Sequence, residues 1–210
     1  MLNFLMLNAK FHYLAYSIKK FSIYHKKFTI KMDSSPELKN ILSYFKYIDT
    51  FFLDVDGVLT DGKVLVTEAG EFLRSFNAKD GYAIRRAVEE GYKVVVITGG
   101  KGGSVENRLR YLGIKQFYTN AADKLPILKT YLRENNIDSS TVLYMGDDLN
   151  DFEVMQNVGL PCCPADAANE IRNISHYISP LEGGQGCVRD VIEKVMKLQG
   201  KWMNHISVSG

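Results

Sequence analysis

The chain has 210 residues, of which 46% are hydrophobic and 24% charged, and its formal net charge is +2. A chain of this length and composition is typical of one globular domain with a core of its own. The near-neutral charge argues against nucleic acid as a partner, and no apolar run approaches the roughly 18 residues that a membrane span needs. The three cysteines cannot form a closed disulfide framework, so they favour a reducing compartment, the cytoplasm.

The first 31 residues differ in composition from the rest. They carry six lysines and seven aromatic residues but no Asp, Glu, Gly, Pro or Arg. Subtracting the six lysine charges from the net charge of +2 leaves −4 for residues 32–210. This extension is interpretable as a basic helix on a membrane surface, as an arm that docks on a partner, or as non-native sequence upstream of Met32. We divide the chain into this extension, a main domain over 32–202 and a tail over 203–210.

From residue 33 onward, short apolar runs alternate with helical patterns. The apolar runs predict strands over 50–55, 93–98, 116–119 and 141–145. Helical periodicity predicts helices over 34–47, 81–90, 104–112, 124–135 and 149–158. Because nearly all-apolar strands need cover on both faces, the pattern predicts an α/β fold with a doubly wound parallel sheet.

One segment interrupts the alternation directly after the first strand. Residues 63–67 and 71–77 are strand-like and are joined by Ala69 and Gly70, which predicts a β-hairpin. The predicted architecture is therefore a doubly wound sheet with a small hairpin flap and no cap domain.

Aspartate, threonine and lysine residues follow the four predicted strands. They stand where a ligand would bind, because ligands of such sheets bind beyond the carboxyl ends of the strands. In chain order, the residues at the four exits are Asp54 with Asp56, Thr98, Lys124, and Asp147 with Asp148 and Asp151. Five aspartates cannot all be ionised in one crevice without a compensating cation, because like charges raise one another's pKa values. A few carboxylates with water and substrate oxygens suit Mg²⁺.

The two other exits complete the chemistry. The Thr98 hydroxyl and the Lys124 ammonium group suit the oxygens of a phosphoryl group. A carboxylate beside a metal and a phosphate site is typical of catalysis through a covalent aspartyl phosphate.

These residues resemble the four signatures of the haloacid-dehalogenase-like phosphatases. The signatures stand here as Asp54-x-Asp56-Gly57, Thr98, Lys124 and Gly146-Asp147-Asp148. Within that superfamily, residues 50 to 202 resemble the capless branch that hydrolyses 3-deoxy-D-manno-octulosonate 8-phosphate, through the stretches 54–62, 77–82 and 183–190. The resemblance implies a Rossmann-like core and a phosphoric monoester hydrolase of lipopolysaccharide sugar biosynthesis.

The resemblance also implies catalytic roles. Asp54 would be the nucleophile that forms the aspartyl phosphate. Asp56 would be the general acid for the leaving sugar oxygen and then the general base for water. Thr98 and Lys124 would hold the phosphoryl oxygens.

A Mg²⁺ site follows from the same resemblance. Its ligands would be an Asp54 oxygen, the backbone carbonyl of Asp56 and the Asp147 carboxylate. Asp148 and Asp151 would orient the waters around the metal.

The family's sugar-binding positions fall mostly outside the four signatures. Besides Asp56 and Lys124, they are Asn77, Ala78, Lys79, Asp80, Gly81, Arg85, Gly100 and Arg108. Arg85 and Arg108 suit a sugar-acid carboxylate, because a guanidinium group matches it bidentately. The family often carries an arginine where this sequence has Gly100, so one substrate contact is lost unless Lys101 or a neighbouring subunit replaces it.

Three functions are compatible with these residues. The first is the phosphatase of the eight-carbon sugar acid. The second is a phosphotransferase, or a phosphatase of a nine-carbon, sialic-acid-like 9-phosphate or of another small metabolite, since only the recognition residues would differ. The third is a non-catalytic Mg²⁺-binding subunit, against which the intact pair of Asp54 and Asp56 argues.

A capless core leaves the mouth of the site open, and the family closes it by forming tetramers. The hairpin over 63–77 places Val64, Val66, Phe72 and Phe76 in alternation on a ribbon that is marginally stable alone. Together with this ribbon, the resemblance implies a homotetramer of closed symmetry.

Overall fold

The computed structural model describes residues 41–202. The predictions for the extension over 1–31, for the start of the first helix and for the tail over 203–210 lie outside the described residues.

The described chain forms strands and helices in alternation. The strands are β1 (Thr50–Leu53), β2 (Leu65–Val66), β3 (Phe72–Leu73), β4 (Lys93–Ile97), β5 (Gln116–Tyr118), β6 (Val142–Met145), β7 (Leu160–Cys163) and β8 (Tyr177–Ile178). The helices are α1 (Leu42–Phe45), α2 (Ala78–Glu89), α3 (Gly103–Tyr111), α4 (Lys124–Glu134), α5 (Phe152–Met155), α6 (Asn169–Ile174) and α7 (Cys187–Leu198). Among residues 41–202, no helix is long and apolar enough to cross a membrane.

Six strands form one parallel sheet in the order β5-β4-β1-β6-β7-β8. The sheet has helices on both faces, which confirms the predicted α/β fold, and residues 41–202 contain no cap domain. β2 and β3 form the predicted hairpin, in which Leu65 faces Leu73 and Val66 faces Phe72. Gly70 closes its turn with a φ of +80°, a value that glycine adopts at little cost.

The central strand β1 is buried throughout and divides the core into two layers. Phe51 and Leu53 face the layer that contains α2 and α7, whereas Phe52 faces the layer that contains α4 and α5. This alternation follows from the two-residue period of a strand. Helix α7 buries one apolar stripe against the first layer, formed by Val188, Val191, Ile192, Val195 and Met196.

Two parts of the fold differ from the prediction. The helix predicted over 149–158 is a 3₁₀ turn over Leu149–Asp151 followed by the short helix α5. The tight turn arises because the Asp151 N–H donates to the Asp148 carbonyl at 2.8 Å, which brings the Asp151 side chain inward. Strands β7 and β8 were not predicted, and β7 contains Pro161, a residue that is rare in central strands.

Candidate active site

The floor of the site consists of Lys124, Asp54, Asp151 and Tyr144, all of them buried. Lys124 is the first residue of α4, where the Asp123 side chain caps the helix. Its ammonium nitrogen lies 3.0 Å from Asp54 Oδ1 and 2.7 Å from Asp151 Oδ1. The lysine therefore connects the exit of β1 with the exit of β6.

Asp151 is the most highly connected carboxylate of the floor. Its Oδ1 accepts hydrogen bonds from Lys124 and from the Tyr144 hydroxyl, both at 2.7 Å. Its Oδ2 accepts from the Asp147 backbone N–H at 3.2 Å. Asp151 thus fixes the positions of Lys124 and of the Asp147 backbone at once. Tyr144 was missed by sequence reasoning, because a tyrosine within an apolar strand gives no signal that its hydroxyl is in use.

The charges of the floor are not balanced. Burial, and then the Asp151 charge, raise the pKa of Asp54 to about 7 against the opposing effect of Lys124. Burial and the charges of Asp54 and Asp151 raise the pKa of Asp147 to about 8. Burial opposes the charge of Lys124, but its two carboxylate partners outweigh burial and raise its pKa. One lysine does not neutralise this cluster, so the site favours a further cation.

The donor set fits Mg²⁺. One carboxylate oxygen from each of Asp54, Asp147 and Asp151 lies within 4.8 Å of the others. Asp147 Oδ1 is buried and accepts no hydrogen bond from a described residue, and the buried Asp54 Oδ1 contacts Lys124. Oxygen atoms with free lone pairs are the ligands that Mg²⁺ prefers. The Asp56 carbonyl remains a predicted ligand that no contact tests.

Gly57 lets the loop after β1 reach this cluster. Its φ is +86°, and a Cβ atom there would lie 1.9 Å from Asp147 Oδ2. Any other residue at this position would therefore displace the Asp147 carboxylate. The Asp-x-Asp-Gly signature is thus explained by the close approach of two loops as well as by its turn.

The rim of the site surrounds a crevice of about 290 Å³. Six of the residues that line it are Asp54, Asp56, Thr98, Gly100, Asp147 and Asp148. The predicted exits of β1, β4 and β6 therefore meet, with Lys124 buried beside them. Asp148 is exposed, and its side chain accepts the Leu149 N–H at 2.8 Å.

Asp56 forms an ion pair that sequence reasoning missed. Arg74, which follows β3, donates from Nε to Asp56 Oδ1 at 2.6 Å and from Nη2 to Oδ2 at 2.9 Å. The Arg74 guanidinium lies beside Gly100, where the sequence suggested Lys101 or a neighbouring subunit as the replacement for a missing arginine. Lys101 is exposed.

The predicted sugar-binding residues at the start of α2 do not line the crevice. Asn77 caps α2 by accepting the Lys79 N–H at 2.8 Å, and its amide donates to the Gly184 carbonyl at 3.0 Å. Asp80 is 1% exposed and accepts the Arg189 N–H at the start of α7. These contacts connect the start of α2 with the segment before α7 and with the start of α7. Sugar binding by residues 77–81 remains a prediction.

The two predicted carboxylate-binding arginines both lie beside Tyr111. The guanidinium carbon of Arg85 is 5.0 Å from the Tyr111 ring centre, and that of Arg108 is 5.6 Å away. Arg108 also lies close enough to Gly81 that a Cβ there would be 2.7 Å from its Nη2. Arg108 Nε is buried without a hydrogen-bond partner among the described residues.

A larger groove of about 590 Å³ runs beside α7. Its charged residues pair with one another, as Arg189 does with Glu193 at 2.9 Å and Lys194 with Asp190. Among residues 41–202, the carboxylate cluster that could hold a metal ion lies at the crevice and not at this groove, so we assign the chemistry to the crevice.

Comparisons with known proteins identify the family of this chain. The family model of the haloacid dehalogenase-like hydrolases matches residues 116–189. The 3-deoxy-D-manno-octulosonate 8-phosphate phosphatase of Escherichia coli strain K12 is 38% identical over 166 residues, which cover 79% of this chain and 88% of that protein.

Two solved structures extend the comparison to the fold. The crystal structure of the phosphatase of the same name from Yersinia pestis matches with a TM-score of 0.77 and 34% identity, over 79% of this chain and 90% of that one. The structure from Moraxella catarrhalis, in complex with a magnesium ion, a phosphate ion and a KDO molecule, matches with a TM-score of 0.76 and 30% identity, over 79% of this chain and 95% of that one. This chain therefore belongs to the 3-deoxy-D-manno-octulosonate 8-phosphate phosphatase family of the haloacid dehalogenase-like hydrolases.

Proposed function

We propose that the protein is a Mg²⁺-dependent phosphatase that hydrolyses 3-deoxy-D-manno-octulosonate 8-phosphate to the free sugar acid and phosphate, in lipopolysaccharide sugar biosynthesis in the cytoplasm. The observation that carries this proposal is the buried contact of Lys124 with Asp54 and Asp151. It lies beside an Asp147 oxygen that has no hydrogen-bond partner among residues 41–202. A nucleophile, a cation for phosphoryl oxygens and a metal ligand are thus available in one crevice.

The reaction has two steps in this proposal. An Asp54 carboxylate oxygen bonds to phosphorus while the bond from phosphorus to the sugar oxygen breaks, and the leaving oxygen takes the proton of the Asp56 carboxyl group. A water then attacks the aspartyl phosphate, Asp56 takes a proton from that water, and the bond between phosphorus and Asp54 breaks. Phosphate leaves, and both aspartates return to their starting states.

The remaining polar residues hold charge in place. Lys124 and the Thr98 hydroxyl bind the phosphoryl oxygens, and Asp151 keeps Lys124 at the floor through its 2.7 Å contact. Asp54, the Asp56 carbonyl and Asp147 would hold Mg²⁺, which when bound supplies positive charge against the phosphoryl group. The raised pKa values of Asp54 and Asp147 support this assignment, because a bound cation relieves the repulsion between them.

The substrate follows from the relatives and from two arginines. The curated relatives that cover 79% of this chain are named for the eight-carbon sugar acid. Arg108 carries a buried Nε without a partner among the described residues, so its guanidinium has hydrogen-bonding capacity for a carboxylate. We assign Arg108 and Arg85 to the carboxylate of the sugar acid.

The test is a steady-state comparison of the eight-carbon 8-phosphate and a nine-carbon sugar-acid 9-phosphate, with and without Mg²⁺. We expect activity only with the metal, and a value of kcat/KM at least about tenfold higher for the eight-carbon substrate. A preference for the nine-carbon substrate would overturn the substrate assignment. Absence of turnover with either sugar-acid phosphate and with p-nitrophenyl phosphate in Mg²⁺ would indicate a non-catalytic subunit.

We also propose that the protein is a homotetramer in which hairpins cover neighbouring sites. Apolar side chains of the hairpin are exposed, among them Leu65 at 66%, Val66 at 58% and Phe72 at 57%. Phe76 differs from the alternation expected, because it packs partly buried against the core. Sedimentation of the wild type and of Leu65→Ser/Phe72→Ser tests the proposal. A fully active wild-type monomer would contradict it.

A further inference from the structure

The hairpin places one buried cation at the rim of the crevice. The Arg74 side chain is only 8% exposed, although the adjacent strand β3 is exposed. Its Nε and Nη2 atoms contact the two carboxylate oxygens of Asp56 at 2.6 and 2.9 Å. Within the described chain, Arg74 is the one side chain that hydrogen-bonds to the Asp56 carboxylate.

Fold stability alone is a poor explanation for this arrangement. Arg74 Nη1 is buried and has no hydrogen-bond partner in the described part of the chain. A buried donor without a partner costs desolvation free energy, and the desolvation of a buried ion pair offsets much of its Coulombic gain. The side chain is thus held in an unfavourable environment at the edge of a catalytic crevice, a pattern typical of functional residues.

Gly100 provides the space for this contact. A Cβ atom at position 100 would lie 3.2 Å from Arg74 Nη2, 3.2 Å from Asp56 Oδ2 and 3.3 Å from Thr98 Oγ1. Such contacts are tighter than ordinary van der Waals distances, so a larger residue would require the ion pair or the Thr98 hydroxyl to shift by a few tenths of an ångström. The loop after β4 and the hairpin are therefore matched to each other at this point.

We propose that Arg74 is a positioning residue that holds the Asp56 carboxylate for proton transfer, with Gly100 leaving room for its guanidinium group. Asp56 is half-buried, and without a partner its side chain would be free to change rotamer. Proton transfer requires the acid within hydrogen-bond reach of the leaving oxygen. The planar guanidinium fixes both the position and the plane of a carboxylate.

The contact also assigns different roles to the two Asp56 oxygens. Oδ1 has the shorter contact, with Arg74 Nε, whereas Oδ2 faces Gly100 at the crevice wall. Oδ1 therefore stays with Arg74 Nε, while Oδ2 takes up a proton from water before the sugar phosphate reacts and releases Nη2; Oδ2 then donates this proton to the leaving sugar oxygen. In the second step Oδ2 takes a proton from water. This inference rests on the proposed phosphatase function and on the role of Asp56 in it.

The test is a double-mutant cycle of Arg74→Ala and Asp56→Asn, measured as kcat and KM for the sugar-acid phosphate and for p-nitrophenyl phosphate. We expect Arg74→Ala to lower kcat about ten- to hundredfold, because small displacements of a catalytic group have effects of this size, and to leave KM nearly unchanged. Arg74→Lys should recover part of the loss. In the Asp56→Asn background, Arg74→Ala should have almost no further effect on kcat.

Two further variants complete the design. Arg110→Ala removes a guanidinium that pairs with Glu106 at 2.9 Å outside the crevice, and it should behave like the wild type. Gly100→Ala keeps Arg74 but crowds its contact, and it should also lower kcat. If thermal melting shows that Arg74→Ala does not fold, Arg74→Lys and Gly100→Ala test the proposal.

Three outcomes would overturn the positioning role of Arg74. The first is that Arg74→Ala keeps the wild-type kcat, and the second is that it raises KM without lowering kcat. The third is that Arg74→Ala lowers kcat as strongly in the Asp56→Asn background as it does in the wild type. The aryl phosphate separates this proposal from the substrate assignment. A wild type that hydrolyses the aryl phosphate but not the sugar-acid phosphate overturns the substrate assignment, and the cycle on the aryl phosphate then decides the role of Arg74.

Discussion

The floor of the crevice is held by Lys124, Asp151 and Tyr144, which are buried and bonded to one another, whereas the rim depends on one ion pair between Asp56 and Arg74. The floor residues lie on the ends of central strands or at the start of a helix. Arg74 is instead supplied by a hairpin whose strands have two residues each. The two regions therefore differ in how firmly the fold fixes their geometry.

This difference separates the tasks of the site. Groups that bind the phosphoryl oxygens and the metal need constant positions, because electrostatic stabilisation depends on dipoles and charges that are already in place. A proton-transferring group must instead exchange partners during the reaction, as Asp56 does in the proposed mechanism. An ion pair at a half-buried rim permits that exchange, which a fully buried network would oppose.

The largest effect is expected for the floor nucleophile. Asp54→Asn should abolish turnover, with a loss on the order of 10⁴-fold or more, because the amide is a poor nucleophile. The fold should remain intact, because Asn keeps the shape of the side chain and Lys124 keeps its contact with Asp151. Phosphate release measures the activity, and thermal melting checks the fold.

Glu106→Gln is a suitable control, because it removes a carboxylate charge from the surface of α3. It should retain wild-type activity. Retention of more than about one hundredth of the wild-type rate by Asp54→Asn would argue against covalent catalysis.

Asp151 tests the rigidity of the floor. Asp151→Ala leaves the Lys124 charge with one carboxylate partner and removes the acceptor of the Tyr144 hydroxyl. Breaking a buried ion pair from one side typically costs about 3–5 kcal/mol, so the free energy of unfolding should fall by that order in urea titrations. Tyr144→Phe removes one hydrogen bond and should cost only about 1 kcal/mol. Equal losses in the two variants would mean that the Lys124 contact does not stabilise the floor.

The sequence predicted the floor better than the rim, for physical reasons. Asp54, Lys124 and Asp147 follow strands that apolar runs reveal, and parallel strands bring their carboxyl ends together. Arg74 could not be placed, because its position depends on how a short hairpin folds back onto the loop after β4. Gly100 appeared as a lost contact, whereas in the structure it provides the space that Arg74 needs.

Strand β7 is a second feature, within the core, that the local sequence pattern did not predict. Pro161 argues against a central strand because it has no N–H to donate. Its carbonyl nevertheless accepts the His176 N–H at 2.9 Å, which connects β7 to the segment before β8. One-sided hydrogen bonding of this kind depends on a neighbour that a local pattern does not identify.

The next prediction concerns Asp80, which was predicted to bind the sugar but in the structure accepts a hydrogen bond that joins α2 to α7. Burial raises its pKa to about 6 from 3.8, against the hydrogen bond from the Arg189 N–H. Between about pH 4 and pH 6 the unfolded chain releases this proton before the folded protein does, so stability falls as pH rises. The decrease from this group should reach about 3 kcal/mol and stay constant above pH 6.

The measurement is the free energy of unfolding against pH for the wild type and for Asp80→Asn, which keeps an oxygen to accept the Arg189 N–H. Relative to the wild type, the free energy of unfolding of Asp80→Asn should increase from pH 4 to pH 6. If the free energies of unfolding of the two proteins instead depend on pH in the same way, and Asp80→Asn lowers kcat/KM for the sugar-acid phosphate, then Asp80 binds the substrate.

The smallest effect on activity is expected for Arg85 and Arg108, the two arginines beside Tyr111 that we assign to the carboxylate of the sugar acid. Arg108 has a buried Nε without a partner among residues 41–202, whereas Arg85 is exposed beside the same ring. A charge-assisted hydrogen bond contributes about 1.5–3 kcal/mol, so Arg108→Ala should lower kcat/KM for the sugar-acid phosphate about ten- to hundredfold. Arg85→Ala should lower it less, because water competes for an exposed guanidinium.

Neither variant should change kcat/KM for an aryl phosphate without a carboxylate, whereas Lys124→Ala should slow both substrates alike. Equal losses on both substrates for the arginine variants would mean that these side chains support the fold of α2 and α3, and that other residues recognise the sugar-acid carboxylate.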